Sequence, residues 1–347
     1  MPHTFIALSG GVDSAAAAAL LLQAGHRLTG VHLRLLPSPD PRDAQDAADV
    51  ARRLAFPFHL LDLSPAFRDT VIQNFIREYR QGRTPNPCVL CNRKIKFGAL
   101  LDHALAMGAG FLATGHYARI ERRDGRFLLL RGLDRTKDQS YFLCGLTQHQ
   151  LSHILFPLGE LDKPRVRRLA EAHGLANARR RDSQDICFVP RGKYAEFIEQ
   201  TSGQPSPPGD FLDAGGHVLG RHKGLIRYTH GQHRGLGLST EEPLYVLDKD
   251  PVANTVRLAP DSALWSRSLT AERMNWIALP GLERPREVTA KTRYSQHEAE
   301  ALAEPLADGQ LRLTFRQPQR AVTPGQAVVL YDGDAVLGGG TILRGEP

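Results

Sequence analysis

Two short segments hold the residue types that could do chemistry. In Ser9-Gly10-Gly11-Val12-Asp13-Ser14, two glycines, two serines and an aspartate occupy six positions. Glycine lets backbone N–H groups approach an anion closely, and a helix starting at such a turn adds partial positive charge. Ser9 and Ser14 bring hydroxyl donors, and Asp13 can orient the loop or hold a magnesium ion. No lysine follows the glycines, so this is not the GxxxxGK[ST] loop of phosphoryl-transfer enzymes. The second segment is Thr84-Pro85-Asn86-Pro87-Cys88-Val89-Leu90-Cys91-Asn92. A helix expected over Arg93–Met107 puts Cys91 near a helix N-terminus, where a thiolate is favoured. Cys187 follows Arg179-Arg180-Arg181, three charges that would also depress a nearby thiol. Cys144, in the apolar run Tyr141-Phe142-Leu143-Cys144, reads as a buried, inert thiol.

The elements that must position these residues alternate. His3–Leu8 reads as a strand, Asp13–Ala24 as a helix and Arg27–Leu36 as a strand. Helix Ala44–Ala55, strand Pro57–Leu63, helix Phe67–Arg80, strand Phe111–Thr114 and helix Lys163–His173 continue the pattern. Such alternation implies a doubly wound parallel sheet with helices on both faces. Beyond Thr201–Asp210, rich in Pro and Gly, short β-like runs take over, from Gly216–Leu219 to Val336–Leu343. The expected organisation is an α/β domain over 1–200, a small central β-rich domain over 201–268 and a β-barrel over 269–347.

The chain has 347 residues, 44 Lys+Arg against 37 Asp+Glu, and four cysteines. Four cysteines are too few for a disulfide-built scaffold of this length. No apolar run is long enough to span a membrane, and the first residues lack the order of a secretory signal, so a cytoplasmic protein is expected. The net charge of +7 is modest as a total. It concentrates in Arg119–Lys137, Lys163–Arg181 and Arg221–Arg234, blocks that could hold phosphates or form solvated faces.

The loop SGGxDS resembles the PP-loop of ATP pyrophosphatases, which cleave ATP to AMP and pyrophosphate and so activate a carbonyl oxygen by adenylation. The whole chain is similar to the tRNA-specific 2-thiouridylases of the MnmA type. The matching stretches include ALSGGVDS (Ala7–Ser14), GRTPNP (Gly82–Pro87), LCNRKIKF (Leu90–Phe97) and ATGHYAR (Ala113–Arg119). They continue through DSQDICFVP (Asp182–Pro190), KTRYSQ (Lys291–Gln296) and AVTPGQAVVLYDGDAVLGGGTI (Ala321–Ile342).

The resemblance implies an adenine-nucleotide alpha-hydrolase-like fold and ATP-dependent 2-thiolation of the wobble uridine of tRNA, with Mg2+. A sulfur-donor protein is a further expected partner. Cys187 matches the cysteine that receives a persulfide. Cys91 matches its partner, which releases the sulfur and closes a disulfide with Cys187. ATP is expected at Ala7, Leu8, Ser9, Gly10, Gly11, Val12, Asp13, Ser14, Leu33 and Gly115. tRNA is expected at Asn86, Pro87, Cys88, His116, Lys137, Asp138, Gln139, Arg293, Tyr294 and Gln326.

The chain departs from this family at Cys88, where many members carry Asp. With Cys91 and Cys187 it makes three thiols, the ligand set of a [4Fe–4S] sulfurtransferase. The other reading makes Cys88 a spectator or resolving thiol beside a persulfide mechanism. Two rival functions remain at this level: another PP-loop ligase acting on a small molecule, and a non-enzymatic tRNA-binding or iron–sulfur protein.

Overall fold

The computed structural model describes residues 1–36, 41–175, 186–190 and 192–347, with the backbone alone at Pro41. Strands β1 (His3–Ala7), β2 (Arg27–Arg34), β3 (Phe58–Asp62) and β4 (Phe111–Ala113) come first. A hairpin follows, β5 (Ala118–Arg123) and β6 (Arg126–Arg131), then the short β7 (Ile154–Leu155). One sheet runs β3-β2-β1-β4-β7, and every pairing in it is parallel. Its helices carry the apolar stripe that the sheet needs. In the helix Val12–Gln23, Ala15 through Ala19 are wholly buried. Those methyl groups let the helix lie close to Val166 and Ala170 of the helix Lys163–Ala172.

The chain leaves β1 for β2 on one side and reaches β4 on the other. That reversal opens a crevice beyond the carboxyl ends of β1 and β4, where open α/β sheets hold ligands. The turn after β1 is Ser9–Ser14, and the turn after β4 is Thr114–His116.

A four-stranded sheet follows, built from β8 (Gly209–Leu212), β9 (Val218–His222), β10 (Tyr245–Asp250) and β11 (Thr255–Ala259) in the order β10-β11-β8-β9. Phe211, Tyr228, Val246, Val256 and Leu258 form its core. The last strands are β12 (Trp265–Trp276), β13 (Arg286–Lys291), β14 (Ala299–Pro305), β15 (Leu311–Arg320), β16 (Ala327–Asp332) and β17 (Ala335–Glu346). They pair antiparallel in the order β12-β15-β14-β13-β16-β17, and β17 returns to β12, which closes a six-stranded barrel and removes its edges. The boundary expected near Ser268 falls inside β12.

The hairpin β5–β6 departs from the sequence expectation, which treated Arg119–Lys137 as a basic block. Leu130 pairs with Ala335, so the hairpin extends the barrel sheet from the first domain. Its charges are consumed in that docking. Arg119 Nη2 lies 2.6 Å from Asp334 Oδ2, Arg135 pairs with the same carboxylate, and Arg131 pairs with Glu298. Arg126 donates to the carbonyls of Ile277 and Leu279. In the third block, Arg221 pairs with Asp210, and Arg227 with Glu196 and Glu199. Much of the first block and half of the basic residues of the third are thus internal ion pairs, because acids distant in sequence meet them in the fold. Among the described residues no helix is long and apolar enough to cross a membrane.

Candidate active site

The turn after β1 has the geometry of an anion cradle. Leu8 N–H donates to Val31 O (2.8 Å), and the His32 ring donates to Leu8 O (2.8 Å), which fixes the strand end. Ser14 Oγ accepts from Ser9 N–H (3.2 Å) and donates to Gly11 O (3.1 Å). Gly10 has φ +75°, a conformation glycine adopts without strain, and a Cβ there would meet Asp43 O at 2.8 Å. The helix opens at Gly11 with no capping side chain, so the N–H groups of its first turn are open to a ligand. These residues fit a nucleotide phosphate.

Gly115 closes the cradle from β4. A Cβ on Gly115 would lie 2.8 Å from Asp13 C and Ser14 N, both backbone atoms. Ala7 and Leu33 are partly buried against the apolar core beneath, and Leu8 is 2% exposed. Asp13 is already engaged: Lys163 Nζ lies 2.7 Å from each carboxylate oxygen, and Tyr117 OH donates to Oδ1 at 2.8 Å. Of the two roles expected for Asp13, the structure displays the orienting one. Magnesium would then enter with ATP, on its phosphates, and supply charge neutralisation there.

The thiols gather on the other side. Asn86 caps a helix at Pro87–Cys91, its Oδ1 accepting from Cys88 N–H at 3.2 Å. The helix therefore begins six residues earlier than expected. Cys88, not Cys91, stands in its first turn, because Pro87 suits the first helical position and Asn86 suits the cap. Cys91 ends that segment, and a π-helical stretch, Asn92–Ala99, carries the chain onward, a distortion that recurs at functional sites. Gln150 donates to the carbonyls of Arg93 and Phe97 within it. Cys91 is packed in a cluster with Phe75, Ile95 and Phe188, and Phe188 meets Phe67 and Phe75 edge to face at 5.5 and 5.3 Å. Anchoring Phe188 in that cluster brings its neighbour Cys187, which is exposed, to Cys91.

The expectation of depressed thiols is corrected here. Burial pushes Cys91 up to about 11 and raises Cys88 and Cys187, while the Lys96 ammonium pulls all three down. Cys187 nonetheless remains exposed at the surface. Arg179, Arg180 and Arg181, invoked for Cys187, lie outside the described residues. All four cysteines are free thiols. Among the described residues no group of three or more His, Cys, Asp or Glu converges as a metal site, so the three thiols are not arranged to hold a cluster here. Cys144 is 2% exposed and burial raises it to about 12, the inert thiol expected.

His116 follows Gly115 of the cradle and meets Phe97 of the helical stretch that continues from Cys91. Thr114 Oγ1 is 2.7 Å from its Nδ1, and its ring contacts Phe97 and Phe156. Burial and Lys96 hold its pKa well below the usual imidazole value, so the ring is neutral near pH 7. An aromatic floor borders Asn86: Tyr294 is 38% exposed and lies 4.3 Å from Phe142, ring centre to ring centre. Tyr141 OH donates to Ala327 O (2.9 Å). Gln326 Nε2 donates to Thr84 O (2.8 Å), tying the barrel to the thiol segment. Arg293 spends its guanidinium on Ala321 O and Thr323. Asp138 accepts from Gly132 and Ser140 N–H groups, and Gln139 exchanges hydrogen bonds with the Tyr117 backbone. Lys137 N–H donates to Asp134 O.

Three residues that carry no role in the sequence motifs emerge: Tyr117, Lys163 and Lys96. Tyr117 and Lys96 sat in the quoted motifs, but no local pattern announces that Lys163 meets an aspartate 150 residues away. A surface concavity lined by His233, Gly235, Leu238, Thr240 and Pro243 belongs to the central domain, away from the thiols and the Ser9–Ser14 turn. His233 packs there on Tyr245 at 5.2 Å.

A parallel sheet with SGGVDS at its switch point, two thiols and two appended β-rich domains defines a PP-loop enzyme equipped for sulfur chemistry. Family models match in the same order: tRNA methyl transferase HUP domain over residues 2–191, tRNA methyl transferase PRC-barrel domain over 195–260, and Aminomethyltransferase beta-barrel domain over 266–342. The chain is 48% identical to the tRNA-specific 2-thiouridylase MnmA of Heliobacterium modesticaldum, covering 98% of this chain and 92% of the relative. It is 48% identical to that of Moorella thermoacetica (97% and 98% covered) and 45% identical to that of Acetivibrio thermocellus (97% and 98%). The chain belongs to the MnmA family of tRNA-specific 2-thiouridylases.

Proposed function

We propose that this protein is a tRNA-uridine 2-sulfurtransferase that spends ATP to place sulfur on the wobble uridine. The observation that carries the reading is the joining, in one fold, of the uncapped SGGVDS cradle with Cys91 and Cys187 brought together by a shared aromatic cluster. Membership of the 2-thiouridylase family supports it. The domains divide near residue 200 and just ahead of β12, which begins at Trp265, and the work is done in the cytoplasm, where tRNA is matured.

The first-turn N–H groups and Ser9 and Ser14 hold the ATP phosphates, and Gly115 leaves them room. Adenylation of uracil O2 makes that oxygen a leaving group. A donor protein leaves a persulfide on Cys187, whose exposure suits that hand-over. The terminal persulfide sulfur attacks C2, and AMP departs with the oxygen. The Cys91 thiolate then attacks Cys187 Sγ. The sulfur–sulfur bond to the new substituent breaks, its electron pair stays with the uridine sulfur, and a Cys91–Cys187 disulfide forms. A thiol reductant resets the pair. Asn86, Pro87 and Cys88 border the flipped base, which reaches such a pocket only outside its stack. Tyr294 offers it, or a neighbour, a stacking face, so Tyr294→Ala weakens tRNA binding by about 1–3 kcal/mol. Wild-type tRNA affinity for Tyr294→Ala in a filter-binding titration would contradict that role.

The rival sulfur step uses a [4Fe–4S] cluster on Cys88, Cys91 and Cys187. It is favoured by the Cys88-x-x-Cys91 spacing and by the electrostatic reach of Cys187 to both. Among the described residues its three donors do not converge on one point. Iron and labile-sulfide analysis after anaerobic purification decides between the two. The function itself is tested with tRNA, ATP and a sulfur source, measuring AMP release and 2-thiouridine together. AMP without 2-thiouridine points to another PP-loop ligase, and neither product points to a non-enzymatic RNA-binding protein.

A further inference from the structure

Asp13 occupies an awkward place for an acid. It stands in the first turn of the helix whose N–H groups face the phosphate site, so its charge opposes a polyphosphate. Two residues offset that charge. Lys163 holds both carboxylate oxygens at 2.7 Å, with its side chain 6% exposed. Tyr117, 3% exposed, donates its hydroxyl to Oδ1 at 2.8 Å and presents its ring 5.8 Å from the Lys163 ammonium.

Both residues are held at the main chain by one loop. Asp134 Oδ2 accepts from Lys163 N–H at 3.2 Å. Gln139 Oε1 accepts from Tyr117 N–H at 3.0 Å, and Gln139 N–H donates to Tyr117 O at 2.9 Å. The same loop is internally braced. Asp134 Oδ1 accepts from Thr136, and Asp138 accepts from Gly132 and Ser140. It runs directly into Tyr141 and Phe142, which meet Tyr294 and the barrel. One short segment therefore grips Lys163 at its Asp134 end and Tyr117 at its Gln139 end, next to the RNA-side aromatic floor.

We propose that Tyr117 and Lys163 are positioning residues that clamp Asp13, and that RNA docking on the loop Asp134–Gln139 tightens nucleotide binding through them. The proposal rests on the reading of that loop as an RNA contact. A ligand moves another's affinity only by binding two arrangements unequally, and the coupling must be equal in both directions.

The test uses the full chain, a tRNA transcript bearing the wobble uridine, and a non-hydrolysable ATP analogue. The analogue's Kd is measured with and without tRNA, and the tRNA Kd with and without analogue, for the wild type and for Tyr117→Phe. The wild type is expected to show tightening of about fivefold or more, the same in both directions. Tyr117→Phe, which removes only the hydroxyl, brings that factor close to one and leaves tRNA affinity alone unchanged. A purely structural Tyr117 would lower the Tm or both affinities and leave the factor intact, which overturns the clamp. A wild type that binds tRNA and shows a factor of one also overturns it. A wild type that binds the analogue but no tRNA overturns the RNA reading and the coupling together. Lys163→Met serves as the second variant: loss of the analogue's affinity with an unchanged Tm supports the clamp, and unchanged affinity counts against it.

Discussion

Cys187→Ser abolishes 2-thiouridine formation while tRNA binding stays within about twofold of wild type, the range of an exposed substitution that alters no packing. A serine hydroxyl cannot accept a persulfide, so the sulfur has no carrier. Phe188, the anchor of this segment, is untouched by the change and keeps its place against Phe67 and Phe75. AMP release measured in the same reaction separates the steps: adenylation continues and thiolation does not. Full thiolation by Cys187→Ser would falsify the assignment. Cys91→Ser is expected to stall before release, with the uridine still joined to Cys187 through the sulfur–sulfur bond. The pH profile carries the same information. Burial holds the Cys91 thiol up to about 11, so its thiolate fraction grows about tenfold per pH unit from neutrality upward. Single-turnover sulfur release that is flat from pH 7 to 9 would show that Cys91 is not the attacking thiolate.

Gly115→Ala is expected to cut ATP-dependent AMP release by about 100-fold, the scale of a one-ångström misplacement at a reacting centre. The new Cβ would stand 2.8 Å from Asp13 C and Ser14 N. These are backbone atoms of the loop, so they cannot turn aside as a side chain does, and the cradle itself must shift. Gly115 is not in the left-handed region, so the effect is steric and not one of backbone strain. Gly281→Ala is the matched control, since a Cβ there meets nothing within 4 Å. Steady-state assays over a range of ATP concentrations check both. Wild-type AMP release by Gly115→Ala would mean that ATP is not used in this cradle.

Much of the site was legible because its signals are local. Ser9–Ser14 lies between residues that favour a strand and residues that favour a helix, and a turn of that kind is set by its own dozen residues. Strands β1 to β4 of the parallel sheet lie within a few residues of their expected ends for the same reason, whereas β7, two residues long, has no local signal and is not among the expected strands. Where the reading slipped, the cause was local too. Asn86 and Pro87 are a cap and a first helical residue, and they start the Cys88–Cys91 helix earlier than the later apolar pattern indicates.

Other features depended on partners that no window contains. The basic run of β5 and β6 has the composition of a phosphate grip, yet Asp334 and Glu298 neutralise much of it, and those acids arrive from the barrel. The thiols near a helix start read as acidic, yet burial among Phe75, Ile95 and Phe188 raises Cys91. Residue order alone determined the nucleotide loop, the alternating α/β framework and the pair of sulfur-bearing segments, because backbone preference and residue chemistry travel with the chain. Only the tertiary structure decided that Lys163 and Tyr117 hold Asp13, which charges are spent internally, and how readily each thiol ionises. Those outcomes depend on distance and on exclusion of water, and both exist only after folding.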